Sequence, residues 1–152
     1  VSLNMSGRTA TTTPRRTAGQ WMSLAVGATF LLVGVAGFFV TGFSDWTRHD
    51  PDQQLLGFAV NPLHNVLHVL VGVLGLVAWA RRGLARWFGV LLFVGYGALM
   101  FHGIATRDDP AADVLNLNQA DDVLHGVTAA LGLIIALVPT KTPVRPSTAQ
   151  LD

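Results

Sequence analysis

From residue 21 to residue 43 the chain runs without one charged side chain, and the stretches 62–80, 84–105 and 119–138 are almost as apolar. Each is about 20 residues, and a helix of that length rises roughly 30 Å, the thickness of a hydrocarbon core. A soluble four-helix bundle needs a charged face on every helix, whereas 84–105 offers only Arg86. Charged residues make up 12% of the chain, half the roughly 25% usual in soluble domains. These runs predict an all-α integral membrane four-helix bundle. Arg15 and Arg16 precede the first run like the basic region of a signal peptide, but the run is too long and no A-x-A site follows, so an uncleaved first span is expected.

The second constraint is an internal repeat. Asn61-Pro62-Leu63-His64-Asn65-Val66-Leu67-His68 leads to Leu74-Gly75-Leu76, and Asn118-Gln119-Ala120-Asp121-Asp122-Val123-Leu124-His125 leads to Leu131-Gly132-Leu133. At an offset of 57, seven of sixteen positions are identical. The preceding loops also correspond, Thr47-Arg48-His49-Asp50-Pro51 with Thr106-Arg107-Asp108-Asp109-Pro110. Self-similarity of this kind is the trace of internal duplication. Two duplicated helical hairpins are expected, running in the same sense about an axis along the membrane normal.

Charge sets the orientation. Arg8, Arg15, Arg16, Arg81, Arg82, Arg86, Lys141 and Arg145 fall on one side of the four runs, and only Arg48 and Arg107 fall on the other, among six aspartates. Eight against two predicts N-in and C-in topology. Residues 1–19 and 139–152, rich in Thr, Ser and Pro, read as disordered cytoplasmic tails around a membrane domain at 20–138. Trp21, Trp79 and Trp87 at the inner ends, with Trp46 beyond the outer end of the first span, suit an interfacial belt. Tyr96 and Met100 read as packing.

The polar residues gather at the outer mouth. Asn61 with Pro62 reads as a helix cap and first turn, Asn118 repeats the cap, and Asp121 and Asp122 suit the positive end of a helix dipole. His68 and His125 lie roughly 10 Å below their caps, His64 stands one turn above His68, and His102 on the third run reaches a similar depth. Ionisable groups at such depth face a bundle interior and have partners.

Three readings stay open. The histidines form a hydrogen-bonded cluster tying the halves together. Alternatively His64, His68, His102, His125 and Asp121 hold a transition metal, or His68 and His125 are axial ligands of a haem between the second and fourth spans. The absence of cysteine excludes disulfides and thiolate sites. No phosphate loop, nucleophile elbow or dense basic patch points to an enzyme or to nucleic acid.

The first span Gly27–Phe38 and the N-P-x-H-N-x-x-H element at 61–68 with its D-x-x-x-H counterpart at 121–125 resemble the domain-of-unknown-function family four-three-eight-three, over about 20–138. That resemblance implies a small four-span protein of the bacterial plasma membrane, mostly actinobacterial, without a defined activity; His102 lies outside the family pattern. The sequence expectation is a structural or accessory membrane module without a cofactor. A metal- or haem-binding protein in redox or metal handling is the alternative. The expected partners are the lipid bilayer and another membrane protein or a second copy.

Overall fold

The structure, a computed structural model, describes residues 15–139. The tail residues 1–14 and 140–152, read as disordered, lie outside that range. Four helices carry the fold: α1 (Ala18–Thr41), α2 (Pro62–Ala78), α3 (Arg82–Thr106) and α4 (Gln119–Leu137). α1 begins just inside the expected tail because Thr17 and Gln20 form a capping box, each side chain accepting from the other's backbone N–H. It stops at Gly42, whose φ of 64° leaves the right-handed helix. Between α1 and α2 lies a short hairpin, β1 (Gln54–Leu55) paired antiparallel with β2 (Phe58–Ala59). Its two-residue turn holds Leu56 and Gly57 at positive φ, as a turn matched to strand twist requires.

α1 packs closely along α2 and α3 along α4, while contacts between the two pairs are sparse. Glycine makes the close approach: a Cβ on Gly75 would stand 2.6 Å from the Cα of Gly27, and one on Gly132 would stand 2.7 Å from the carbonyl of Gly89. Without a hydrophobic drive between helices in lipid, such backbone contact is the usual source of association. A small shared core of Phe30, Ala78, Phe88, Leu92, Tyr96, Ala129 and Ile135 joins the pairs.

Burial is inverted relative to a soluble bundle. Phe39 is 89% exposed and Leu32 71%, while Asn61, Asn65 and Asn116 are fully buried. α1, α3 and α4 are long and apolar enough to cross a membrane; α2, at 17 residues, is apolar but shorter. It ends two residues before the sequence run does, because Trp79, Ala80 and Arg81 form the tight connection to α3. At this arginine-bearing end Arg16 lies over the Trp79 ring, and its guanidinium and the Gln20 amide both donate to the Trp79 carbonyl.

Candidate metal centre

α2 and α4 start on the same device. The Asn61 side chain accepts from the backbone N–H of His64 at 2.9 Å, with Pro62 at the first helical position. The Asn118 side chain accepts from the N–H of Asp121 at 3.0 Å, and Asp121 Oδ2 accepts in return from the N–H of Asn118 at 2.9 Å. The same Asp121 oxygen accepts from the N–H of Ala59 at 3.1 Å, so this carboxylate pins β2 to the start of α4.

Above the helix starts the two loops knit into a cap. Asn116, held at a φ of 55°, donates to the carbonyls of Asp50 and Val60 and accepts from the N–H of Asp50. Asn61 Nδ2 reaches the carbonyl of Val114, and Asn118 Nδ2 that of Gly57. His49 meets Asp113 at 3.1 Å, and Asp113 also accepts from the N–H groups of Leu115 and Leu117. Every one of these residues joins one hairpin's loop to the other's or braces the loop that does. Asn116 and Asp113 were not singled out from sequence; an Asn whose backbone visits the left-handed region is the one local signal that fits.

Directly beneath the cap sit His64, Asp121 and His125. Each offers one ligand-type atom, and those atoms all lie within 4.8 Å of one another. All three residues are buried. Two imidazoles and a carboxylate suit Zn²⁺ or another divalent transition ion, including the two-histidine, one-carboxylate set of non-haem iron. The Nδ1 atoms of His64 and His125 have no hydrogen-bond partner. Buried imidazole nitrogens are ordinarily paired, and the Nδ1 of His68 and Nε2 of His102 are unpartnered as well. The three residues come from both hairpins, one from α2 and two from α4.

The aromatic surroundings fix which of the other expected residues join. His64 lies 4.4 Å from His68 and 6.0 Å from His125 between ring centroids. Phe30 contacts His68 and Tyr96, and Tyr96 contacts His125, closing a ring of five side chains. Tyr96, read as packing from sequence, therefore backs a candidate ligand. His68 and His125, the pair expected for a haem, are linked on one side through His64 and on the other through Phe30 and Tyr96.

His68 touches the site through His64 but is outside the converging group. His102 also stays outside it. The buried stripe of α3 runs through Leu92, Tyr96 and Gly103, and His102 is one residue off that stripe, about 100° around the helix. Asp122 occupies the first turn of α4, and its Oδ2 accepts from Arg107 at 2.8 Å.

A profile of the family described as Domain of unknown function (DUF4383) matches residues 20–138. No curated protein and no solved structure matches the chain.

Proposed function

We propose, from the premise that the chain belongs to this family, that it is an accessory membrane module whose two halves are joined by one divalent transition-metal ion held by His64, Asp121 and His125. The observation that carries this reading is the convergence of three buried ligand atoms within 4.8 Å, contributed by both hairpins. His64 supplies a neutral imidazole from the first half. Asp121 supplies the charge that balances the cation, its second role being to hold β2 through Ala59. His125 supplies the other imidazole, oriented by the Tyr96 ring. A cation here would offset a carboxylate that otherwise sits buried with only backbone N–H donors on Oδ2.

Several companion proposals rest on other observations. The eight-to-two distribution of basic residues supports N-in and C-in topology in a bacterial plasma membrane, with α2 crossing beside α1. Hairpins that each close on a glycine pair, with Gly75 and Gly132 exactly one repeat of 57 apart in the chain, support a common origin for the two. The broad apolar exterior supports lipid, a second copy or another membrane protein as neighbour.

The test is elemental analysis of detergent-purified protein prepared without chelators and supplied with Zn²⁺, Fe²⁺ and Mn²⁺. One metal per chain is expected, lost in His125→Ala with the helical circular dichroism retained. A metal-free wild type, or undiminished metal in a His64→Ala/His125→Ala double variant, overturns the proposal.

A further inference from the structure

Because α1 belongs to one hairpin and α4 to the other, the seam between them is loosely filled. It holds a cleft of about 280 Å³. The α1 wall includes Thr29 and Phe30, the α4 wall includes Val127, Thr128 and Leu131, and His68 of α2 contributes the imidazole. Thr29 and Val127 are exposed on the bundle's flank, so the cleft opens sideways, toward lipid in a spanning protein. The opposite seam, between α2 and α3, also has a gap, about 210 Å³, but its lining of Leu74, Val77, Trp87, Phe88 and their neighbours brings no imidazole or hydroxyl.

His68 distinguishes the α1–α4 cleft. It is 6% exposed; its Nδ1 is sealed off and has no hydrogen-bond partner, so a ligand in the cleft would meet the imidazole through Nε2. An unpaired polar nitrogen in an apolar setting costs on the order of 1–3 kcal/mol, which a ligand bringing an acceptor to Nε2 would relieve. The imidazole lies roughly 10 Å along α2 from its cap, below the level a phospholipid headgroup occupies. An acyl chain entering the cleft would leave the nitrogen unpaired. A ligand that carries a carbonyl on a small flat ring at hydrocarbon depth, with an apolar tail left in the bilayer, would pair with it and lie against Phe30.

We propose that the α1–α4 cleft binds the head of a lipid-soluble quinone, with the His68 imidazole N–H donating to a quinone carbonyl. The proposal concerns binding alone and is independent of the metal centre. It is tested on full-length, chelator-washed protein in lipid nanodiscs, with histidine side chains labelled with ¹⁵N and decylubiquinone as probe. The His68 resonances are identified by their loss in His68→Gln. A saturable shift of those resonances is expected, with the apparent Kd raised at least tenfold in Ala25→Phe, which fills the cleft from the exposed side of α1 without touching the cluster. Decylbenzene, which has the ring and tail but no carbonyl, should leave the signals in place. Absence of a saturable shift, an unchanged Kd in Ala25→Phe, or an equal shift from decylbenzene overturns the proposal; the last would make the cleft a site for hydrocarbon chains only. Should His68→Gln fail to fold, the resonances are identified from His68→Asn instead, and the Ala25→Phe and decylbenzene arms decide.

Discussion

The two hairpins share a frame and differ in what they hang on it. Both bring their helices together at glycine, and in both an Asn cap opens the second helix. In both, a polar residue four positions after the cap nests against a glycine of the hairpin's other helix: Asn65 on Gly37, and Asp122 on Gly103. The chemistry then parts. The first hairpin offers neutral groups, with the Asn65 amide donating to Thr41. The second offers acids, with Asp121 turned inward and Asp122 paired to the half-exposed Arg107. Two like copies would set imidazole against imidazole or carboxylate against carboxylate at the shared centre. Having His64 where the other hairpin has Asp121 avoids that and, in the reading proposed above, gives a mixed ligand set. In the first turn of α4, Asp122 has a cationic partner that reaches water, and in the reading proposed above a metal takes that partner's place at Asp121.

The comparison breaks most severely at Asp121. Asp121→Ala should lower metal affinity by more than the roughly 10–100-fold seen for residues that only orient a ligand. It also strips the N–H groups of Ala59 and Asn118 of their acceptor, a further loss of about 2–4 kcal/mol. Metal content and thermal unfolding in detergent read the two effects separately. Next come the helix contacts. Gly75→Leu and Gly132→Leu drive a side chain into facing backbone and should each destabilise by about 3 kcal/mol. Similar losses in the two would support equivalent hairpins; a loss in one alone would break the equivalence.

How much of this could be read from the chain follows from where each signal lies. The helices were visible because a membrane demands long apolar runs, and Asn61 and Asn118 because a cap acts on its own helix within three residues. His64, His125 and Asp121 were nominated along with His68 and His102, since the repeat matches His64 to Asp121 and His68 to His125, one helical turn deeper. Depth, though, says nothing of azimuth across helices. His102 has the right height and lies about a quarter-turn off the buried stripe, and the histidines' aromatic neighbours Phe30 and Tyr96 look in sequence like ordinary packing. The cap was the least visible part, because Asn116 meets Asp50 and Val60 across 66 and 56 positions of chain.

Smaller effects sharpen the same contrast. Asn116→Ala removes three hydrogen bonds of the cap, one buried and two part-buried, and should cost about 2–3 kcal/mol, measured by chemical or thermal unfolding, with metal stoichiometry kept at saturating ion. Asp122→Asn should change stability by no more than about 1 kcal/mol, its ion pair being open to water on the arginine side. His102→Ala should leave metal content unchanged; a loss there would place His102 in the site after all.

Asn116 also dictates an order of events. Its bonds, with Asn61 to Val114 and Asn118 to Gly57, join the loop before α2 to the loop before α4, so none of these can form until the loop after α3 has been made and brought beside the first hairpin. Contacts that distant in sequence are formed only after the intervening chain has closed into a loop. The cap is therefore a late event in biogenesis, and the three-residue centre beneath it, drawing on both hairpins, is completed at the same stage. A chain interrupted after α3 holds His64 but neither Asp121 nor His125, and so cannot assemble the site.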